Sequence, residues 1–136
     1  ISMKINFNTN YQVFGDKVVK CTIVCTLTDC NEFMYIPNFR GCPIKIEALP
    51  NRKLVQSFVV TAIAKCDPKD EFDLETGKRI AESRANIKAL KIVSGLAEKS
   101  REFLAKADAR LVEGYNKAEY ILAKEESHLN ILLGNE

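Results

Sequence analysis

The stretch from Ala64 to Leu90, AKCDPKDEFDLETGKRIAESRANIKAL, is where the chain changes its period. On its N-terminal side apolar and polar residues alternate as in strands, and beyond it apolar residues recur at three and four positions as on a helix. Cys66-Asp67-Pro68 reads as a turn, and the acidic group Asp70-Glu71-Phe72-Asp73 leads into the helical part. Asp73 has the side chain of a helix N-cap, with Glu75 favourably placed near the positive helix end. Ala81, Ala85, Ala89, Ile92 and Leu96 form the inward stripe of that helix. Gly77 lies inside it at a cost of about 1 kcal/mol relative to alanine, so a close approach by a backbone or a ligand is expected there.

Working outward toward the C-terminus, Ser94-Gly95 is expected to kink or turn the chain, after which the helical pattern resumes. Leu104, Ala107, Leu111, Ala118, Leu122, Leu129 and Leu132 continue the spacing, with Tyr115 on nearly the same stripe. A periodic stretch this long exceeds what one small domain buries alone, and its apolar side is expected to pack on another protomer.

Toward the N-terminus, Lys17–Leu27 (KVVKCTIVCTL) and Leu54–Lys65 (LVQSFVVTAIAK) are rich in β-branched residues and long enough for central strands. Lys4–Phe14 is expected as two short extended pieces, KINF and YQVF, parted by a turn at Asn8-Thr9-Asn10, with Gly15-Asp16 as the next turn. Glu32–Ile36 (EFMYI), stopped by Pro37, and Ile44–Leu49 (IKIEAL), stopped by Pro50-Asn51, complete the set. Connections this short leave no room for crossover helices, so the sheet is antiparallel with about four or five strands. The fold class is α+β: an N-terminal antiparallel sheet followed by long C-terminal helices that pack between protomers. One domain, 1–136, is expected, with a β-rich half at about 4–65 and a helical half at about 73–133.

With 46% hydrophobic and 28% charged residues, the composition is that of an ordered globular domain. Apolar runs such as Phe58–Ala64 fall far short of the roughly twenty residues a membrane helix needs. Ile1-Ser2 reads as a cloning remnant ahead of a natural start at Met3, no secretory leader is legible, and a cytoplasmic setting is expected. Cys21, Cys25, Cys30, Cys42 and Cys66 make no C-x-x-C pair, and the single histidine, His128, is distant, so reduced, partly buried thiols are expected and no metal site.

The net charge of +2 conceals an uneven distribution: Lys78 to Arg110 holds nine basic residues against four acidic ones, and the remainder from Leu111 is acidic. That pattern suits a small anion or another subunit better than a long nucleic acid. Arg84, Lys88 and Lys91 share one helix face, and Lys78 and Arg79 sit in its first turns, where cations can grip phosphates. The plainer reading is a solvated face balanced by Glu82 and by a partner subunit's acids. Phe72 has two readings as well: a plane on which a purine stacks, or an apolar staple on the first helical turns. Phe39 and Arg40, in the loop Pro37–Pro43, are either a ligand or subunit contact or a loop whose Phe39 tucks into the core. No P-loop, dinucleotide fingerprint or nucleophile with a credible base is visible, which favours binding without turnover and without a cofactor.

The pattern D-x-F-D-x-x-x-G-x-x-x-A-x-x-R-A, from Asp70 through Phe72, Asp73, Gly77, Ala81 and Arg84 to Ala85, resembles one seen in small phage proteins. With the β-rich half before it and the helical half after it, the chain resembles the first-described Thoeris anti-defence family, phage and prophage sponges. The resemblance implies non-catalytic sequestration of cyclic ADP-ribose isomers made from NAD by bacterial TIR-domain enzymes, in the cytoplasm of the infected host. It also implies cyclic di- or trinucleotides of the CBASS type held at separate sites, and dimers that build hexamers. By the family's logic a stacking aromatic, an asparagine and arginines contact the ligands, and of the residues that could serve at the site only Phe72, Gly77 and Arg84 fall on motif positions. A purine and a pyrophosphate also want a polar group and further cations, for which Asn86, Lys78, Arg79, Lys88, Arg101 and Arg110 are the candidates. Two other functions remain open at this level: a phage nucleic-acid-binding accessory protein using the same basic helix on phosphates, and a purely structural oligomer.

Overall fold

The structure, a computed structural model, describes residues 2–15, 17–66, 71 and 73–134. Strand β1 (Lys4–Phe14) pairs antiparallel with β2 (Val18–Thr28). A two-residue ladder, β3 (Asn38–Phe39) with β4 (Cys42–Pro43), precedes β5 (Lys45–Ala48) and β6 (Leu54–Lys65). The main sheet has the order β1-β2-β6-β5, antiparallel throughout, and one helix, α1 (Leu74–Leu132), follows. The chain divides into two compact units, Ile1–Ser100 and Arg101–Glu136. The α+β class expected from the change of period is the one observed.

In the first unit the strand period of two sorts side chains cleanly. Val19, Cys21, Ile23, Cys25 and Leu27 of β2 are fully buried, and Gln56, Phe58, Val60, Ala62 and Ala64 of β6, on the same face, are buried as well. Ala81, Ala85, Ala89, Val93 and Leu96 of α1 complete this core. The three alanines are completely buried, as close approach of a helix backbone to a sheet requires. Asp73 caps the helix: its Oδ1 accepts from the Glu75 N–H at 3.1 Å and, more weakly, from the Thr76 N–H at 3.4 Å. Its Oδ2 accepts from the Thr76 hydroxyl at 2.7 Å.

Three sequence expectations are corrected. β1 runs unbroken through Asn8-Thr9-Asn10, because these residues are held in register against Val24, Ile23 and Thr22 of β2. Glu32–Ile36 is not a strand. Its backbone donors are taken locally and by the helix, the Phe33 N–H by Cys30 O at 2.9 Å and the Met34 N–H by Ser100 Oγ at 2.8 Å, so no ladder can form. Ser94-Gly95 neither kinks nor turns; α1 is continuous there. Gly95 instead admits the Phe39 ring. A Cβ at Gly95 would stand 2.6 Å from two Phe39 ring carbons. Phe39 is accordingly buried, with the Arg40 guanidinium 4.8 Å from its ring centroid, so the core reading of this loop holds.

In the second unit, Leu104, Leu111, Tyr115, Leu122, Leu129 and Leu132 are all exposed. No helix among the described residues is long and apolar enough to cross a membrane.

Candidate functional site

The basic face of α1 lies in the first unit. Arg84 and Lys88, one turn apart, reach past α1 to β6. The Arg84 Nη1 donates to Ile63 O at 2.9 Å, and the Lys88 Nζ donates to Thr61 O at 2.8 Å. The reason is topological. β5 pairs only with Leu54–Ser57, so the rest of β6 leaves backbone carbonyls without strand partners on that side. Among the described residues, the partners that pin both cations are neutral oxygens. A guanidinium has five N–H donors and an ammonium three, so each retains donors after these bonds.

A second group forms where the start of α1 meets β1. The Tyr11 hydroxyl donates to Glu82 Oε2 at 2.7 Å, and the Lys78 Nζ lies 5.5 Å from the Tyr11 ring centroid and 4.0 Å from Glu75 Oε1. The hydrogen bond to the Glu82 carboxylate, with burial and that negative charge, pushes the Tyr11 pKa up to about 12. Asn86, one turn beyond Glu82, has a buried Oδ1 with no hydrogen-bond partner among the described residues. Gln56 has the same condition at Oε1, while its Nε2 donates to Phe33 O at 3.4 Å. Sequence reading did not single out Tyr11, and took Glu82 only as an acid balancing the basic face. Their meeting depends on which strand lies beneath the first turns of α1.

The remaining predicted residues fall elsewhere. Phe72 and Asp70 lie outside the described residues, as do Asp67 and Pro68 of the expected turn and Asp16 of the Gly15-Asp16 turn. The Thr76 hydrogen bonds, then the Glu75 N–H and last the charge of the exposed Arg79 hold the Asp73 carboxyl below the usual carboxylate range. Arg101 and Arg110 are exposed residues of the second unit. The structure thus brings Arg84 and Lys88 together, and Lys78 with Tyr11 and Glu82. An open surface depression elsewhere in the first unit is lined by Asp29, Asn31, Glu32 and Lys53, with a Lys53–Asp29 ion pair of 3.1 Å, and it contains none of the predicted residues.

Among the described residues no cluster of three or more His, Cys, Asp or Glu side chains is placed to hold a metal ion. The thiols of Cys21, Cys25 and Cys30 are buried in the sheet core, and burial pushes Cys25 up to about 11, which keeps it protonated and unreactive at neutral pH.

Comparison of the chain with protein-family models, with curated proteins and with solved structures found no match.

Proposed function

We propose that the protein is a non-catalytic sponge that binds cyclic ADP-ribose isomers, with cyclic di- or trinucleotides held at separate sites, and so blocks Thoeris and CBASS anti-phage defence. The setting is the cytoplasm of the infected bacterial host, and the working form is a homo-oligomer, a dimer building to a hexamer. Two things support the reading: the motif from Asp70 to Ala85, and the disposition of Arg84 and Lys88. Held to backbone carbonyls 2.9 and 2.8 Å away, these cations are preorganised and keep donors for a pyrophosphate. Asn86 supplies an amide oxygen without a partner, suited to a ribose hydroxyl or a base amine. Phe72 is the stacking plane in this reading, and Lys78, Arg79, Arg101 and Arg110 are the further cations.

The test is capture and release. Purified protein is mixed with a TIR-produced cyclic ADP-ribose isomer, free ligand is filtered away, the protein is heat-denatured, and the released material is analysed. Recovery of the intact, active signal supports a sponge, while a cleaved product overturns the non-catalytic reading. No captured ligand sinks the assignment. In that event nucleic-acid binding through the same cations becomes the reading to examine, and its signature is a steep loss of affinity as salt rises.

A further inference from the structure

We infer that the open edge of β1 is a self-association surface, on which β1 of a second copy of this chain pairs antiparallel about a two-fold axis at Thr9. The inference stands apart from the ligand reading and uses only the first unit.

β1 is the outermost strand of the sheet and pairs along all 11 residues with β2 alone. The outward carbonyls of Thr61 and Ile63 on β6 and the two antiparallel registers fix which groups of β1 face outward, and the Tyr11 N–H, donating to Asn10 Oδ1 at 3.1 Å, agrees. Alternation then directs the N–H and C=O groups of Ile5, Phe7, Thr9, Tyr11 and Val13 to the open edge.

The open edge of β1 and the part of β6 beyond β5 are treated differently. On β6 the outward carbonyls of Val59, Thr61 and Ile63 accept from Cys42 Sγ at 3.6 Å, Lys88 Nζ and Arg84 Nη1. Cations and a covering side chain are the usual means of keeping an edge from pairing with another chain. β1 has no such device: it contains no proline or glycine, and its one charge is Lys4 at the end.

Within KINFNTNYQVF the stretch from Ile5 to Val13 is chemically palindromic about Thr9. In the pairing proposed, Ile5 faces Val13 of the second copy, Phe7 faces Tyr11, and Thr9 faces Thr9. On the opposite side of the ribbon Asn6 faces Gln12 and Asn8 faces Asn10. Apolar groups meet apolar groups on one face and amides meet amides on the other, as a self-complementary two-fold interface requires. A slip of one residue would set asparagines against Phe7 and Tyr11. The residues that would be covered are the ones left open: Ile5 and Phe7 are each 37% exposed and Val13 45%, although all three share the side of the sheet on which β2 and β6 are buried. A foreign peptide could use the same edge, but nothing would then require the palindrome.

The test places single cysteines on β1 in a Cys42→Ser, Cys66→Ser background, leaving the three buried cysteines in place. Thr9→Cys puts two thiols on the axis, in a hydrogen-bonded pair whose Cα atoms stand about 5.5 Å apart, within disulfide range. Gln12→Cys puts its copies about 20 Å apart at 3.3–3.4 Å per residue. Under mild oxidation the first is expected to cross-link to a dimer and the second not. Thr9→Pro removes a donor that serves only the open edge, so the fold is expected to survive and the dimer dissociation constant, by analytical ultracentrifugation, to rise at least about a hundredfold. A monomeric wild-type chain, equal cross-linking at both positions, or a dimer unmoved by Thr9→Pro in folded protein would each overturn the inference. If Thr9→Pro fails to fold, the cross-linking pattern decides alone.

Discussion

Replacing Gly95 with alanine isolates one tertiary contact against a known local preference. In an open helix the change stabilises by about 1 kcal/mol, because glycine is the poorer helix former. At Gly95 the new methyl carbon would lie 2.6 Å from Phe39 Cε1 and Cζ and 3.2 Å from Arg40 Cζ. The ring cannot swing clear into solvent, since Phe39 is only 7% exposed. Overpacking of this kind costs about 1–3 kcal/mol, so the net expectation is a loss of about 1 kcal/mol once the propensity gain is subtracted. Urea unfolding at fixed protein concentration should show a lower midpoint with an unchanged slope, and Tm should fall by roughly 4 °C. In a Phe39→Leu background the ring edge is gone and the same Gly95→Ala change should become stabilising, a reversal that a double-mutant cycle measures directly. If Gly95→Ala raises stability in the wild-type background, the helix does not pass as close to the Phe39 loop as described and the packing argument fails. Gly114, with nothing within 4 Å of its Cβ position, is the internal control. Alanine there should slow amide exchange in the surrounding turns.

Removing the Tyr11 hydroxyl with Tyr11→Phe leaves Glu82 without its 2.7 Å donor and should cost about 1 kcal/mol. Because the folded pKa of Tyr11 is raised above the ordinary value of 10, its stabilising effect is complete below pH 10 and is lost as pH rises toward about 12. An absorbance titration should contain a late phenolate that Tyr11→Phe deletes; a high-pH profile unchanged by that substitution would refute the pair. Asp73 behaves oppositely: its folded pKa is lowered, chiefly by the Thr76 hydrogen bonds, so its contribution is present above the ordinary carboxylate pKa and is lost as pH falls through the depressed value. Asp73→Asn, which can still cap, should flatten the dependence of stability on pH below the ordinary carboxylate pKa. Arg84→Ala should weaken capture of a cyclic ADP-ribose isomer at least about tenfold, the loss of one charge-assisted phosphate contact, with the fold retained by circular dichroism. Thiol labelling at pH 8 should leave Cys21, Cys25 and Cys30 unmodified until the protein is unfolded, since all three are buried and their thiols are raised by desolvation.

How much was legible in the sequence depended on how local the deciding interaction is. The Asp73 cap uses groups two and three residues away, and it is where local reading places it. The alternation of β2 and β6 and the Ala81-Ala85-Ala89 stripe also follow from periods that any buried strand or helix must obey. The α+β class follows from the change of period between Lys65 and Leu74. Asn8-Thr9-Asn10, by contrast, has turn chemistry that a fully paired ladder overrides, since the hydrogen bonds of an 11-residue register outweigh a local preference of a few tenths of a kcal/mol per residue. Glu32–Ile36 is an apolar, aromatic run of strand length, yet Ser100, 66 residues away from Met34, takes the donor that a ladder would need. Gly95 reads as a break because a sequence does not display the ring that fills its missing side chain. Arg84 and Lys88 could be placed on one helix face by counting. That they end on Ile63 O and Thr61 O was decided by the short reach of β5, which leaves part of β6 without a neighbour. Periods and caps are set by residues within a turn or two of one another. Edges, close approaches and the partners of charged groups exist only once distant strands have been brought side by side.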